Sequence, residues 1–420
     1  MISQIEALDY RCLRYIRQPI GPFHVLVGPN ASGKTTFLDV VSFLGRLVSE
    51  GVEAAVRERT ENFFDLLWGR AGRRFELAIE ASLPKSVRDK LGHESPDVIR
   101  YEVAIGVPPE AETEEVGILS ERVFLTPTRE RDETPRDLFP APVEPPESIL
   151  HKTARGWKSV VSKSYDGNDN FTPETKSTGR KAWAHSFKLG HRKSALGNLP
   201  PDESHFPAST WFKDLLTEGV QPFILNSLLI RKPSPPNQRR GFRTDGSNLP
   251  WVVNDLWQRD RDRFLAWIGH IQTALPDLAM IHTTLRPEDR HRYLMLEYQG
   301  GLKVPSWMVS DGTLRLLALT LPAYIPDFQG IYLIEEPENG IHPKAVETVF
   351  QSLSSVYDAQ LLLASHSPVI LGCAATKSVL CFAKNEDGAT DVVSGPNHPR
   401  LKEWKGEANL GVLFAAGVLG

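Results

Sequence analysis

Eight residues near the N-terminus, Gly28-Pro29-Asn30-Ala31-Ser32-Gly33-Lys34-Thr35, constrain this chain more than any other stretch. They fill the pattern GxxxxGK[ST] completely. Its glycines let the backbone curl around an anion. Successive N–H groups then point inward, and a helix starting behind the loop adds its partial positive charge. Lys34 supplies a cation for the β- and γ-phosphates, and the Thr35 hydroxyl is suited to ligate Mg²⁺. Such a loop needs a strand before it and a helix after it. Residues 20–28 (IGPFHVLVG) form a short, apolar, β-rich run. Beyond the loop, Phe37, Val40, Val41, Leu44, Leu47 and Val48 recur at helical spacing. Residues 20–50 therefore read as strand, loop and helix. Gly28, Asn30, Ala31, Ser32, Gly33, Lys34, Thr35 and Thr36 are the residues expected to hold ATP.

Further along, apolar strand patterns alternate with helical ones. Residues 74–83 and 99–107 alternate apolar and polar, as half-buried strands do. A helical stretch covers roughly 250–275, and strands are expected at 278–285 and 292–299. A buried helix at 312–325, a buried strand at 330–335, a helix at 343–357 and a buried strand at 360–364 follow. This alternation predicts an α/β fold with a mostly parallel sheet. An antiparallel β subdomain accompanies it. Residues 108–150 carry eleven acids against four bases, and 151–194 carry ten Lys/Arg against three acids. These opposite-sign blocks look like an inserted β/helical lobe. The expected organisation is residues 1–107 as the N-terminal half of a nucleotide-binding head, 108–250 as the inserted lobe, and 251–420 as the C-terminal half.

Three later segments carry chemistry. In IYLIEEPENGIHP, residues 331–343, an apolar strand ends abruptly in Glu335 and Glu336. Open α/β sheets bind ligands at the carboxyl ends of their strands, so both acids belong on the phosphate side. Glu335 suits the Mg²⁺ shell and Glu336 suits a general base that orients water. In VSDGTLRLLA, residues 309–318, Ser310 is a good helix N-cap, with Asp311 and Gly312 in the first turn. The N–H groups of that turn can bind a phosphate, against which the charge of Asp311 argues mildly. In QLLLASHSP, residues 360–368, a buried strand delivers His366 to the same sheet edge, where it can bond a phosphate oxygen or water.

The ordered set GPNASGKT, VSDGT, IYLIEEPENGIHP and ASHSP resembles the ABC-type ATPases of the SMC, RecF and OLD (overcoming lysogenization defect) group. Within it the chain looks most like compact bacterial AAA-family ATPases without a coiled coil. The resemblance covers roughly 1–50 and 250–420. It implies a Walker A loop at 28–35, a Walker B acid at Glu335, a catalytic Glu336 and a switch histidine at His366. It also implies a signature segment, Ser310, Asp311, Gly312 and Thr313, acting in trans, and a D-loop containing Asn339, Gly340 and His342. Two features depart from the family pattern. Walker B usually reads Asp-Glu, and the signature lacks the second Gly of LSGGQ. In addition no glutamine lies between 37 and 220, so the Q-loop is unassigned. Because the signature acts on ATP held by another subunit, the resemblance implies an ATP-sandwiched homodimer.

Composition limits the partners. The net charge of −4 and pI of about 6.3 favour no polyanion overall, so only local patches bear on nucleic acid. The basic block holds Trp157, Tyr165, Phe171, Trp183 and Phe187 among its cations, a mixture that suits DNA contact or, equally, a small lobe core. Residues 229–243, with five bases and three prolines, form a second basic candidate and suit an exposed loop. Cys12, Cys373 and Cys381 show no metal-type spacing and fit a reducing cytoplasm. Apolar stretches near 313–325 and 408–420 are too short or broken to span a bilayer, so no membrane partner is expected. No nuclease constellation occurs after His366. The family resemblance implies an ATPase that serves as sensor or scaffold for a separate effector, a nuclease or toxin, in anti-phage defence. A RecF-like DNA-repair ATPase and a non-hydrolysing nucleotide-gated scaffold are the alternatives.

Overall fold

The computed structural model describes residues 1–92, 96–108, 115–128, 136–142, 144–175, 184–238, 241–326, 328–402 and 410–415. Three sheets organise them. The central six-stranded sheet runs Val220–Phe223, Gly330–Glu335, Ala359–Ala364, Phe23–Val27, Val379–Lys384, Thr390–Ser394. Every pairing in it is parallel except the last. An eight-stranded antiparallel sheet runs Leu13–Pro19, Ile2–Tyr10, Arg74–Ser82, Val98–Gly106, Gly117–Thr126, Lys158–Ser164, Asp169–Phe171, His185–Phe187. Strands drawn from the charged region beyond residue 108 thus extend the same sheet as strands before it. A small sheet of Leu278–Leu285, Arg292–Tyr298 and Lys303–Pro305 completes the set.

Strand periodicity explains why the central strands are apolar without interruption. Alternate side chains point to opposite faces. Leu26, Ile331, Leu333, Leu362, Leu380 and Phe382 join one core, shared with the helix Lys34–Glu50 and the antiparallel sheet. Val25, Val27, Tyr332, Ile334, Leu361, Leu363 and Val379 join a second core against the helices Leu249–Arg259, Arg261–Ala274, Asp311–Thr320 and Pro343–Ser354. Both faces are covered, as parallel sheets require. The expected helix at 250–275 is two helices, because Asp260 breaks it and accepts from the Arg263 N–H at 3.0 Å to cap the second. The helix expected at 312–325 ends at Thr320 and tightens into a 3₁₀ turn, Leu321–Tyr324, with Pro322 at its start. The final described helix, Leu410–Ala415, buries Leu410 and Leu413 in the second core.

The strands at 74–82 and 98–106 differ from the half-buried expectation. Their polar face is covered as well. Arg100 is 1% exposed and reaches three carboxylates: Glu102 at 2.6 Å, Glu6 at 2.8 Å and Glu80 at 2.9 Å. The segment at 148–151 lies across them. Glu76 accepts from Ser148 Oγ and the Ile149 N–H, both at 2.8 Å, and Glu102 accepts from the His151 N–H at 2.8 Å. Alternation in sequence marked a polar face, but satisfied ion pairs allowed that face to be buried. Replacing Arg100 with Met leaves three carboxylates around an uncharged side chain. Urea denaturation is expected to show a loss of about 3–5 kcal/mol, and an unchanged midpoint would remove this network from the stability of the fold.

Candidate nucleotide site at the carboxyl edge of the central sheet

Three adjacent parallel strands end side by side. Glu335 is level with Ala364, and Ala364 is level with Leu26. The loops leaving them enclose a cleft of about 440 Å³. Asn30, Ala31, Ser32, Gly33, Lys34, Thr35, Thr36, Glu335, Glu336 and His366 all line it. Gly28 is not among the lining residues; its carbonyl and that of Pro29 accept from Lys34 Nζ, both at 2.9 Å. Burial lowers the Lys34 ammonium to about 8, against the opposing pull of Glu336 and Glu335.

The loop conformation explains its glycines. Gly33 has φ +106°, and a Cβ there would lie 2.3 Å from Thr390 Oγ1. Gly28 has φ +154°, with the Phe382 carbonyl 2.1 Å from an added Cβ. Thr390 Oγ1 donates to the Ser32 carbonyl at 2.9 Å and its N–H donates to the Cys12 carbonyl at 3.0 Å. This brace from a distant strand was absent from the sequence reading, as were Arg11, Cys12 and Lys384 in the lining. None of them carries a motif. Ser32 Oγ is buried without a hydrogen-bond partner among the described residues. An orphaned hydroxyl inside this loop fits a phosphate oxygen. The Thr35 hydroxyl donates to the Glu335 carboxylate, which sets two hard oxygen ligands together as Mg²⁺ prefers.

Glu336 has φ +46°, uncommon for a residue with a side chain, and its N–H donates to the Ala364 carbonyl at 2.8 Å. Its carboxylate accepts from the Asn339 amide. The His366 imidazole is lowered from its usual value by burial and by the Lys34 charge, with Glu336 and Glu338 opposing.

Ser310, Asp311, Gly312 and Thr313 do not line this cleft. Ser310 caps the helix Asp311–Thr320, accepting from the Thr313 N–H at 3.2 Å. The Asp311 carboxylate is held by Arg231, whose Nε donates at 3.0 Å, so its charge is offset at the helix start. Arg231 comes from the basic stretch 229–243; Arg239 and Arg240 of that stretch lie outside the described residues. A Cβ on Gly312 would lie 2.6 Å from the Gly340 carbonyl, so the helix start abuts the Asn339–His342 segment. His342 caps the helix Pro343–Ser354, its Nδ1 accepting from the Lys344 N–H at 3.3 Å.

A fourth strand also ends at this edge. Val220–Phe223 pairs in parallel with Gly330–Glu335, Phe223 level with Ile334. The loop at 224–226 therefore leaves at the same edge. Its Asn226 side chain accepts from the Leu228 and Leu229 N–H groups as a cap, and Gln221 lies on the strand itself.

Fold and cleft are those of an AAA-type nucleotide-binding domain. The chain belongs to the AAA domain family described as a putative AbiEii toxin of a type IV TA system, whose model matches residues 23–372. A 44-residue stretch is 39% identical to an OLD nuclease of Thermus scotoductus; it is 10% of this chain and 8% of that protein. Two SMC heads share the fold, each with a TM-score of 0.51. One, bound to the C-terminal winged-helix domain of ScpA, is 15% identical over 93% of this chain and 96% of its own. The other, bound to the C-terminal domain of ScpA from Pyrococcus furiosus, is 13% identical over 96% and 98%. Among the described residues no helix is long and apolar enough to cross a membrane.

The brace makes a paired prediction. Gly33→Ala is expected to strain the loop, lower the melting temperature and abolish nucleotide retention. Gly269→Ala, on the exposed side of Arg261–Ala274 with nothing within 4 Å, is expected to gain about 0.5–1 kcal/mol. Thermal melts and filter retention of labelled nucleotide measure both; equal behaviour of the two variants would refute the strain argument.

Proposed function

We propose that this chain hydrolyses ATP in a cleft completed by a second copy of itself, and that the ATP-bound dimer gates a separate effector. The observation that carries this reading is a separation. The phosphate loop, both glutamates and His366 share one cleft, while the capped helix start at Ser310–Thr313 lies outside it. A helix N-terminus with its acid offset by Arg231 suits a phosphate, and a second chain brings one to it. Exposed apolar side chains stand beside it, Met308 and Trp307 in the preceding turn and Leu228 on the neighbouring helix. Such a cluster is expected on a face that another molecule covers.

Within the cleft, the loop at 30–34 and Lys34 hold the β- and γ-phosphates. Thr35 and Glu335 would hold Mg²⁺, which when bound offsets charge on the phosphate oxygens. Glu336, fixed by Asn339, orients water and takes its proton as general base. His366 bonds the γ-phosphate oxygen or that water. Gly312 and Gly340 bring signature and D-loop against each other, so a subunit approaching one also touches the other.

The family's description as a toxin–antitoxin domain and the short match to an OLD nuclease support an anti-phage role with a nuclease or toxin in trans. The RecF-like alternative asks for a nucleic-acid surface. In the basic block, Trp157 packs on Phe124 and Phe187 stacks on the buried Phe171. Tyr165 stacks on His191, and the buried Lys163 pairs with Asp169 at 2.6 Å. Trp183 lies outside the described residues. These packed rings favour a protein partner over base stacking.

Glu336→Gln is expected to stop turnover and accumulate the dimer. Light scattering with saturating Mg-ATP reads the mass, and a monomer would sink the composite-site reading. Lys34 adds a pH signature. Its ammonium loses the proton near pH 8 in the free protein, and phosphates favour the charged form. Nucleotide binding at pH 8 is therefore expected to take up on the order of half a proton, and affinity to fall as pH rises further. Calorimetry in buffers of different ionisation enthalpy measures this; no uptake at pH 8 would place Lys34 away from the phosphates.

A further inference from the structure

Two loops leave the carboxyl edge beside each other, one after Glu335 and one after Ala364. Glu338 joins them. Its Oε1 accepts from Ser365 Oγ at 2.7 Å and from the His366 N–H at 3.0 Å. Ser365 is fully buried and its hydroxyl oxygen accepts from the Ser367 N–H at 3.0 Å. Ser367 in turn caps the helix Pro368–Cys373, accepting from the Ile370 N–H at 3.4 Å. A single carboxylate therefore starts a chain of hydrogen bonds that fixes the backbone on both sides of His366. The other oxygen, Oε2, is buried with no partner among the described residues. Leaving a carboxylate oxygen unpaired is costly, and a neutral side chain would avoid the cost.

We propose that Glu338 is a positioning residue for His366, holding the backbone at 365–367 so that the imidazole enters the nucleotide cleft. The proposal rests on the ATP-hydrolysis reading above. It gives a reason for the charge at this position as well as for the hydrogen bonds. Arg11, Lys34, Glu335, Glu336 and Lys384 are the charged side chains lining the cleft. Lys34 disfavours a proton on His366, and Glu336 and Glu338 favour one. An amide at 338 keeps an acceptor for Ser365 and His366 but loses the charge. The two contributions therefore separate in two variants.

The experiment uses the full chain. Steady-state turnover is measured for the wild type, Glu338→Ala and Glu338→Gln, and the His366 imidazole is titrated by NMR, with His366→Gln identifying its signal. Glu338→Ala is expected to lower kcat about tenfold with KM nearly unchanged, because the phosphate loop is untouched. Glu338→Gln is expected to recover about threefold of that loss, and its His366 midpoint is expected to move to lower pH. If Glu338→Ala does not fold, Glu338→Gln and the titration still decide. An unmoved midpoint, a wild-type kcat in Glu338→Ala, or a parallel change of kcat and KM overturns the positioning role. A shifted midpoint in Glu338→Gln, beside a wild-type chain that turns over no ATP, overturns the hydrolysis reading and leaves the positioning role standing.

Discussion

The parallel ladder of the central sheet is the constraint on which the rest depends. Its register sets Glu335 level with Ala364 and Ala364 level with Leu26. Three loops from distant parts of the chain then emerge at one height. Phosphate loop, paired glutamates and His366 meet because hydrogen-bonded strands fix where each loop begins. A shift of one residue in any of these strands would turn its apolar side chains toward the wrong core. Two separate cores, one on each face, oppose such a slip.

That register is locked at the opposite edge as well. Gln360, fully buried, receives the Ile2 N–H at 3.0 Å, donates to the Ile2 carbonyl at 2.8 Å and donates to the Gly21 carbonyl at 2.7 Å. One satisfied amide thereby ties the antiparallel sheet to the central one. The antiparallel sheet in turn carries its own buried ionic centre at Arg100. Thr390 closes the arrangement by bracing the phosphate loop from behind. The loops around the cleft are each tied to a neighbouring strand, Ser32 to Thr390 and Glu336 to Ala364.

Much of this was legible. GPNASGKT announces loop, strand and helix together because phosphate binding leaves few alternatives in backbone shape. The apolar runs at 20–28, 330–335 and 360–364 read as strands because covered faces demand apolar side chains on both sides. Glu335 and Glu336 stood out because two acids ending such a run have no packing reason. Other parts were not legible. Glu80, Arg100 and Glu102 fell on what read as the polar face of half-buried strands, since pairing across strands leaves no mark in local sequence. The loop after Val220–Phe223 could not be placed beside Glu335 until strand order was known.

The sequence by itself determined which residues can curl around phosphate, which strands are buried, and where acids and a histidine end them, because those properties depend on neighbours a few positions away. Only the tertiary structure decided what those residues meet. Thr390 reaches Ser32 across 358 positions, Arg231 offsets Asp311 across 80, and Glu338 holds His366 across 28. Such contacts arise from strand order and register, and no local pattern encodes them.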